Sequence, residues 1–364
     1  MSKGAIYSMG DPRGRRRPLR ATAALLMAVV ALVALAPPTL GRVNTTESTD
    51  FTLVDPTGRV TAKFYNMDAY SDTKTQEVLQ SLGAGTPVVF YGEGAELLLE
   101  IAEPRVVLTG GEEPIVVGAW RQGGDAEAPV SVLVVRDTNY EEISLEAAIA
   151  WTSEPLAVPT GAQGQLYRLV GAVTEVDRRL PLGVLTSRTE IVRVSDSSTE
   201  YDWYDVTVTQ TLTPGAYSGA SGWRWSQLTY TMDGGQPGAN VELTSYDAVT
   251  ENPEPRGLFT FLLRIMTFRW SSLLPWLWGR DQGTTWTDNS DYARSLYSVR
   301  YKAPEGSDDA SAPLEARHHY VVKTAEAVAP TMCTWTQVTY IKGGALSAER
   351  YMAPPTGGTL TIRP

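Results

Sequence analysis

The hydrophobic pattern of residues 165–364 is that of a series of short strands. Runs dense in Val, Thr, Tyr and Trp follow one another, and Gly, Pro, Asp or Asn stand between them. Strands at such intervals, with turn residues between them, are typical of an antiparallel β-sandwich. The predicted strands are 186–194, 203–212, 223–232, 239–246, 295–302, 317–323, 332–341 and 359–363.

Residues 42–155 carry a more mixed pattern. Asp72 is a suitable N-cap for a helix over 72–82, which Gly83 would end. The stretch 141–151 fits either a helix or a strand, and we favour the helix. Val-rich runs bounded by Gly or Pro predict strands at 87–91, 105–109, 114–120 and 130–136.

The stretch 152–165 is rich in Pro and Gly, which marks either a domain boundary or a long loop within one sandwich. We predict a mainly β protein with two domains. A small β-rich domain with a short α/β-mixed region spans 42–155, and an antiparallel β-sandwich domain spans 165–364. The second domain carries one hydrophobic helical insertion at 257–279.

The insertion differs from its surroundings because its few polar residues share one stripe of a helix and most of the remaining surface is apolar. We favour an insertion that packs on the sandwich. A helix that enters a partner's groove or a membrane interface is the alternative. The stripe consists of Thr260, Arg264, Thr267 and Ser271.

The N-terminus has the order of a secretory signal. An arginine-rich stretch over 13–20 precedes the uncharged run 21–36, and Pro37, Pro38 and Gly41 follow. Sixteen helical residues rise about 24 Å, which is shorter than the roughly 30 Å hydrocarbon core of a membrane. We therefore predict a signal peptide over 1–41 that is cleaved after Gly41, with an uncleaved anchor as the alternative. Asn44, in an Asn-Thr-Thr sequon, is then a candidate glycosylation site.

Charge and composition exclude several classes of site and partner. The chain of 364 residues has one Cys, which excludes disulfide scaffolds and multi-cysteine metal sites. Residues 1–41 hold six of the 31 Lys and Arg and one of the 41 Asp and Glu, so the cleaved chain has 25 against 40 and a net charge of −15. A field of this sign repels nucleic acid, which we exclude as a partner.

Few residues suggest catalysis. His318 and His319 are adjacent, so on a strand they point to opposite faces and cannot bind one metal together. Cys333 shares a strand face with Trp335, which predicts a buried, inert thiol. No Gly-x-Ser-x-Gly sequence and no Gly-rich phosphate loop with its Lys is present.

The stretch 196–205 has the highest density of acidic and aromatic residues. Its carboxylates could bind Ca²⁺, or supply the pair that glycoside hydrolysis requires. We favour solvated or structural carboxylates, with calcium as the one cofactor that the sequence suggests. The metal-ligand candidates are Asp196, Glu200, Asp202 and Asp205.

Aromatic residues on neighbouring predicted strands suggest a sugar site. Trp223 and Trp225 lie two apart and therefore share a face, and Tyr204 lies on a neighbouring strand. Exposed rings of this kind stack on sugars. Aromatic cross-strand pairs also stabilise sheets, and we favour that role.

Residues 201–208, 213–215 and 243–246, with the turn 288–292, resemble stretches of uncharacterised secreted β-rich proteins of archaea. The resemblance implies export and a β-rich fold. We predict an exported protein at the cell surface or outside the cell that acts without catalysis, as a binding, adhesion or envelope component with a glycan or envelope protein as partner. The alternatives are a secreted polysaccharide hydrolase, or a membrane-active protein that uses 21–36 or 257–279.

Overall fold

A computed structural model describes residues 50–121, 127–137, 145–153, 167–195, 199–219, 221–246, 284–303, 308–343 and 348–363. All of them belong to one compact unit, Thr45–Pro364. The predicted signal 1–41 with its uncharged run 21–36, the sequon at Asn44, the insertion 257–279 and the candidate ligand Asp196 lie outside the described residues.

Strands dominate the described chain, and the predicted mainly β fold is confirmed. The strands are β1 (Phe51–Val54), β2 (Val60–Asn66), β3 (Val88–Tyr91), β4 (Val106–Thr109), β5 (Val116–Arg121), β6 (Val130–Asp137), β7 (Tyr167–Arg179), β8 (Gly183–Val194), β9 (Tyr201–Pro214), β10 (Arg224–Asp233), β11 (Glu242–Tyr246), β12 (Thr285–Asp288), β13 (Leu296–Lys302), β14 (Leu314–Ala325), β15 (Thr331–Lys342), β16 (Glu349–Met352) and β17 (Thr356–Ile362). The α-helices are α1 (Thr75–Gly83), α2 (Leu97–Ala102) and α3 (Glu146–Trp151). Single 3₁₀ turns occupy Met67–Ala69, Asp72–Lys74, Tyr292–Arg294 and Asp308–Ser311.

The strands form two sheets. Sheet A has the order β1-β2-β3-β5-β6-β7-β8-β9-β14-β11, and among these strands only β2–β3 and β6–β7 pair in parallel. Sheet B has the order β12-β13-β10-β15-β17-β4, with β16 beside β15, and its described pairs are antiparallel. The two sheets stack through one core that combines strand and helix residues.

Strands from both predicted domains share these sheets. β6, from the first predicted domain, pairs with β7, and β4 pairs with β17 near the C-terminus. The segments 42–155 and 165–364 therefore do not form separate sheets. As a result, β4 and β17 of sheet B lie against β6 and β7 of sheet A.

Helices cover the two faces of the N-terminal half of sheet A. Val78 of α1 and Leu98 of α2 pack in the core that also contains the inner face of β3 and β5. α3 packs on the opposite face, where the ring of Trp151 fits only because β5 has Gly118. A Cβ at Gly118 would lie 2.8 Å from Trp151 Cζ3, so any larger residue there would displace the helix.

Candidate functional site between the two sheets

A band of polar side chains crosses the inner face of sheet A, where apolar residues would be expected. Each member is under a tenth exposed, and each lies on a strand that packs against sheet B. Buried polar groups are costly unless they find partners, so their hydrogen bonds decide what the band can do. The members are Arg136 on β6, Glu175, Asp177 and Arg179 on β7, Ser187 on β8, Gln210 on β9 and His318 on β14.

Glu175 and Arg136 form the first charged contact of this band. Nη1 of Arg136 donates to Glu175, and the other guanidinium nitrogens donate to the carbonyl oxygens of Gly110 at 2.9 Å and Glu112 at 2.7 Å. Burial raises the pKa of Glu175 to about 7, and the charge of Arg136 opposes that rise only in part. Arg136 thereby joins sheet A to the loop that follows β4.

Asp177 and Arg179 form the second charged contact. Nε of Arg179 donates to both carboxylate oxygens of Asp177, at 2.9 and 2.7 Å. Thr356 of β17 completes the contact, because its hydroxyl donates to Asp177 and accepts from Nη2 of Arg179 at 3.2 Å. Both charges are thus paired, and the pair binds a strand of sheet B.

Gln210 and His318 continue the band away from the charges. Tyr297 donates to His318 Nδ1 and His318 Nε2 donates to Gln210 Oε1, both at 3.2 Å, which fits a neutral imidazole. The amide nitrogen of Gln210 donates to Ser187 at 2.9 Å and to Thr336 of β15 at 2.6 Å. Burial lowers the pKa of His318 to about 3, so this histidine is uncharged at neutral pH.

A small cavity lies inside this band. Glu175, Ser187, Thr336 and Thr356 are among the residues that line it, together with apolar side chains of both sheets. It has room for a water molecule, and its hydroxyl and carboxyl groups supply the partners that such a water needs. The geometry is that of a satisfied polar contact that fixes how the two sheets align.

Thr356 offers the simplest test of that role. Thr356→Val keeps the shape of the side chain but removes the hydroxyl shared by Asp177 and Arg179, so we expect a loss of about 1–3 kcal/mol in the free energy of unfolding. Urea denaturation measures it. Thr361→Val is the matched control, because Thr361 lies half-exposed on the same strand and its change should stay within about 0.5 kcal/mol. Equal effects of the two substitutions would contradict a sheet-joining role for Thr356.

The predicted calcium ligands do not come together as one site. Asp202 and Asp205 lie on opposite faces of β9, because they are three residues apart on a regularly paired strand. Asp202 pairs with Arg193, and Asp205 accepts from Nε2 of His319 at 2.9 Å. Glu200 is exposed just before the strand. Within the described ranges, no three His, Cys, Asp or Glu side chains are placed to hold a metal ion.

The predicted sugar-stacking residues lie in the core. Trp223, Trp225 and Tyr204 are 8%, 2% and 5% exposed, which leaves no ring face for a sugar. Nε1 of Trp225 donates to the carbonyl oxygen of Ala312 at 3.1 Å, and Lys342 Nζ lies 5.8 Å from the Trp223 ring. The two tryptophans share a face as predicted, but that face is the one that packs between the sheets.

The opposite orientation of the two histidines is confirmed, since His318 lies in the core and His319 pairs with Asp205 on the other face of sheet A. Cys333 is partly exposed, so the prediction of a buried thiol is wrong. β15 turns Cys333 and Trp335 away from the core while Met332 and Val338 enter it.

Among the described residues, none of the helices has the length and apolar character needed to cross a membrane.

No protein-family model matches the chain, and no curated protein matches it. Solved structures are similar to part of it, and two examples follow. The Clostridium perfringens NetB toxin in its membrane-inserted form is 5% identical with a TM-score of 0.26, covering 52% of this chain and 95% of the toxin. A pore forming protein is 4% identical with the same score, covering 52% and 88%. Scores this low establish no shared fold.

Proposed function

We propose that this chain is an exported protein that acts at the cell surface or outside the cell by binding, without catalysis. The proposal of export rests on the sequence of residues 13–41, where a basic stretch is followed by an uncharged run and then by a segment with Pro and Gly. The net charge of −15 after Gly41 suits a soluble chain in the extracellular space and disfavours nucleic acid and anionic lipid as partners. The partner would be a glycan or another envelope component.

One observation favours binding over hydrolysis. The buried carboxylates between the sheets and the described carboxylates of β9 already form ion pairs. Glu175 pairs with Arg136 and Asp177 with Arg179 beneath sheet B, while Asp202 pairs with Arg193 and Asp205 with His319. A glycosidase needs two carboxyl groups that flank an open cleft about 5–10 Å apart. Ion pairs buried between sheets, and carboxylates on opposite faces of β9, suit a rigid scaffold better than such a cleft.

The test starts from the native protein. Intact mass is measured separately on washed cells and on culture medium, and cleavage near Gly41 is expected. The recovered chain is then labelled and added to washed cells of the same source. We expect saturable binding that an excess of unlabelled chain displaces, with no release of reducing sugar from the cells.

Two results would overturn the proposal. The first is an absence of saturable binding to cells and to isolated envelopes. The second is release of reducing sugar that Glu175→Gln or Asp202→Asn abolishes while the thermal unfolding midpoint stays unchanged, which would establish the hydrolase alternative. A full-length mass confined to the cell fraction would instead make 21–36 an anchor, and the binding assay would then be carried out on that cell-attached form.

A further inference from the structure

The outer face of sheet B is basic, although the chain as a whole is acidic. Alternate residues of its strands point away from the core, as the paired registers require. At these outward positions the described strands of sheet B carry Arg224, Arg300, Lys302 and Arg350 against one carboxylate, Asp233. The chain after Gly41 has 25 basic and 40 acidic residues, so this face reverses the balance of the whole.

The basic residues gather at one end of the face. Arg300 and Lys302 are two residues apart on β13, about 7 Å along the strand, and both are exposed. Arg224 lies on β10 beyond Gln227, which is the register partner of Lys302. Asp233 lies six residues from Gln227 in the other direction, about 20 Å away. We use the name basic surface for the residues Arg224, Gln227, Thr229, Arg300, Lys302 and Thr339.

Three of these cations have no carboxylate partner in the part of the chain that the structure describes. Arg224 donates to a backbone carbonyl oxygen at 2.7 Å, while Arg300 and Lys302 are exposed and form no ion pair there. On the outer face of sheet A, by contrast, Arg188 pairs with Glu190 at 2.9 Å. Cations that an acidic chain leaves without carboxylates are available to an external anion.

The groups between the cations are neutral and polar. Gln227 and Thr339 are register partners and half-exposed, and Thr229 is the register partner of Arg300. Hydroxyl and amide groups both donate and accept hydrogen bonds, as sugar hydroxyls do. β10 and β13 each pair with a strand on both sides, so this surface offers no open edge to which a peptide strand could add.

We propose that the basic surface binds an acidic polysaccharide. Carboxylate or sulfate groups of the polymer contact Arg224, Arg300 and Lys302, and its hydroxyls bond to the Gln and Thr side chains between them. The inference rests on the proposed binding function and names its ligand class. The net charge of −15 permits this contact, because salt screens charges that lie beyond about 8 Å. Nucleic acid is a poorer match, since three separated cations cannot neutralise one charge per about 1.7 Å.

The test separates charge from sugar. The probes are dextran sulfate and carboxymethyl-dextran, with uncharged dextran as the neutral form of the same polymer, in affinity electrophoresis of the exported chain. At least one charged form should bind, added salt should weaken that binding, and dextran should not bind. Arg300→Gln combined with Lys302→Gln should weaken the binding by about tenfold or more. Both side chains are exposed, so the thermal unfolding midpoint should stay unchanged.

Arg59→Gln combined with Arg294→Gln is the matched control, because it removes the same charge from exposed residues outside the basic surface. It should leave the affinity unchanged. Failure of both charged dextrans to bind, equal binding of uncharged dextran, or equal losses in the two double variants would overturn the proposal. Polyphosphate is the probe for a polyanion without sugars, and binding of polyphosphate alone would overturn the assignment to a polysaccharide.

Washed cells distinguish this proposal from the broader one. If the variant with Arg300→Gln and Lys302→Gln binds cells as tightly as the native chain, the basic surface is not the site, while the broader binding function stands. If the native chain binds a charged dextran but not cells or isolated envelopes, the proposed function fails and the anion-binding surface remains.

Discussion

Above pH 7, where Glu175 ionises in the native protein, Arg136→Ala should lower the free energy of unfolding by about 3–5 kcal/mol, because it leaves Glu175 buried without its partner. The substitution also removes the donors to the carbonyl oxygens of Gly110 and Glu112, at 2.9 and 2.7 Å. Few point substitutions reach this size, and those that do remove a partner from a buried charge or open a cavity. Chemical denaturation followed by far-ultraviolet circular dichroism measures the loss.

A double variant tests whether the charge itself causes the loss. Removing one partner of a buried ion pair is costly, whereas replacing both with apolar residues of similar volume is often neutral. Arg136→Met with Glu175→Leu should therefore recover much of the stability that Arg136→Ala loses. If the double variant were no more stable than the single one, the carbonyl contacts to the loop after β4 would be the main contribution, and the ion pair would be secondary.

Twelve of the 17 described strands were predictable from their side chains, whereas β1, β2, β7, β12 and β16 were not predicted. The run predicted at 203–212 is the middle of β9, and the helix predicted at 72–82 is the 3₁₀ turn Asp72–Lys74 followed by α1. Val, Thr, Tyr and Trp favour an extended, half-buried chain wherever it is placed. The partners of a strand are a different matter, since β4 pairs with β17 some 250 residues later through contacts that local propensity does not encode.

The polar band between the sheets escaped prediction for a related reason. Glu175 and Asp177 alternate with Thr174 and Val176, and alternation alone assigns charged residues to solvent. Their partners Arg136 and Thr356 come from other strands, and only the stacked sheets bring them together. The charged run at 175–179 inside a strand is the one sequence signal that could have found the site.

The error over Trp223 and Trp225 concerns the choice of face. Their spacing of two places both tryptophans on one face of the strand. It does not say whether that face is buried or solvent-exposed when both faces carry polar and apolar residues. The same ambiguity applies to β15. There the polar Thr336 is the buried residue and the neighbouring Trp335 points away from the core, the reverse of what their hydrophobicity predicts.

Acid should destabilise the protein through His318. In the folded state burial lowers the pKa of this imidazole from the ordinary 6.5 to about 3. Between these values the unfolded chain binds a proton that the folded chain does not. The contribution of His318 to the free energy of unfolding is therefore complete above pH 6.5 and is lost as the pH falls toward 3. From pH 6.5 to 4 the loss is about 3 kcal/mol.

Glu175 acts in the opposite direction over much of the same range and must be separated from His318. Its folded pKa of about 7 exceeds the ordinary 4.5, so its contribution to stability is complete below 4.5 and is lost as the pH rises through 7. The stability of the native protein should therefore change little between pH 6.5 and 4.5, because the two effects nearly cancel. A flat profile on its own is no evidence against either group.

The difference between variants isolates the histidine. His318→Gln keeps a donor and an acceptor for Gln210 and Tyr297 but cannot titrate. Its stability should therefore rise as the pH falls from 6.5 to 4.5, through the protonation of Glu175. His319→Gln is the matched control on the neighbouring residue, whose ring lies on the other face of sheet A beside Asp205. Unfolding free energies from urea titrations at half-unit pH steps give the profiles. Parallel profiles for the native protein and His318→Gln would mean that His318 takes up its proton in the folded state, and that the core between the sheets admits the charge.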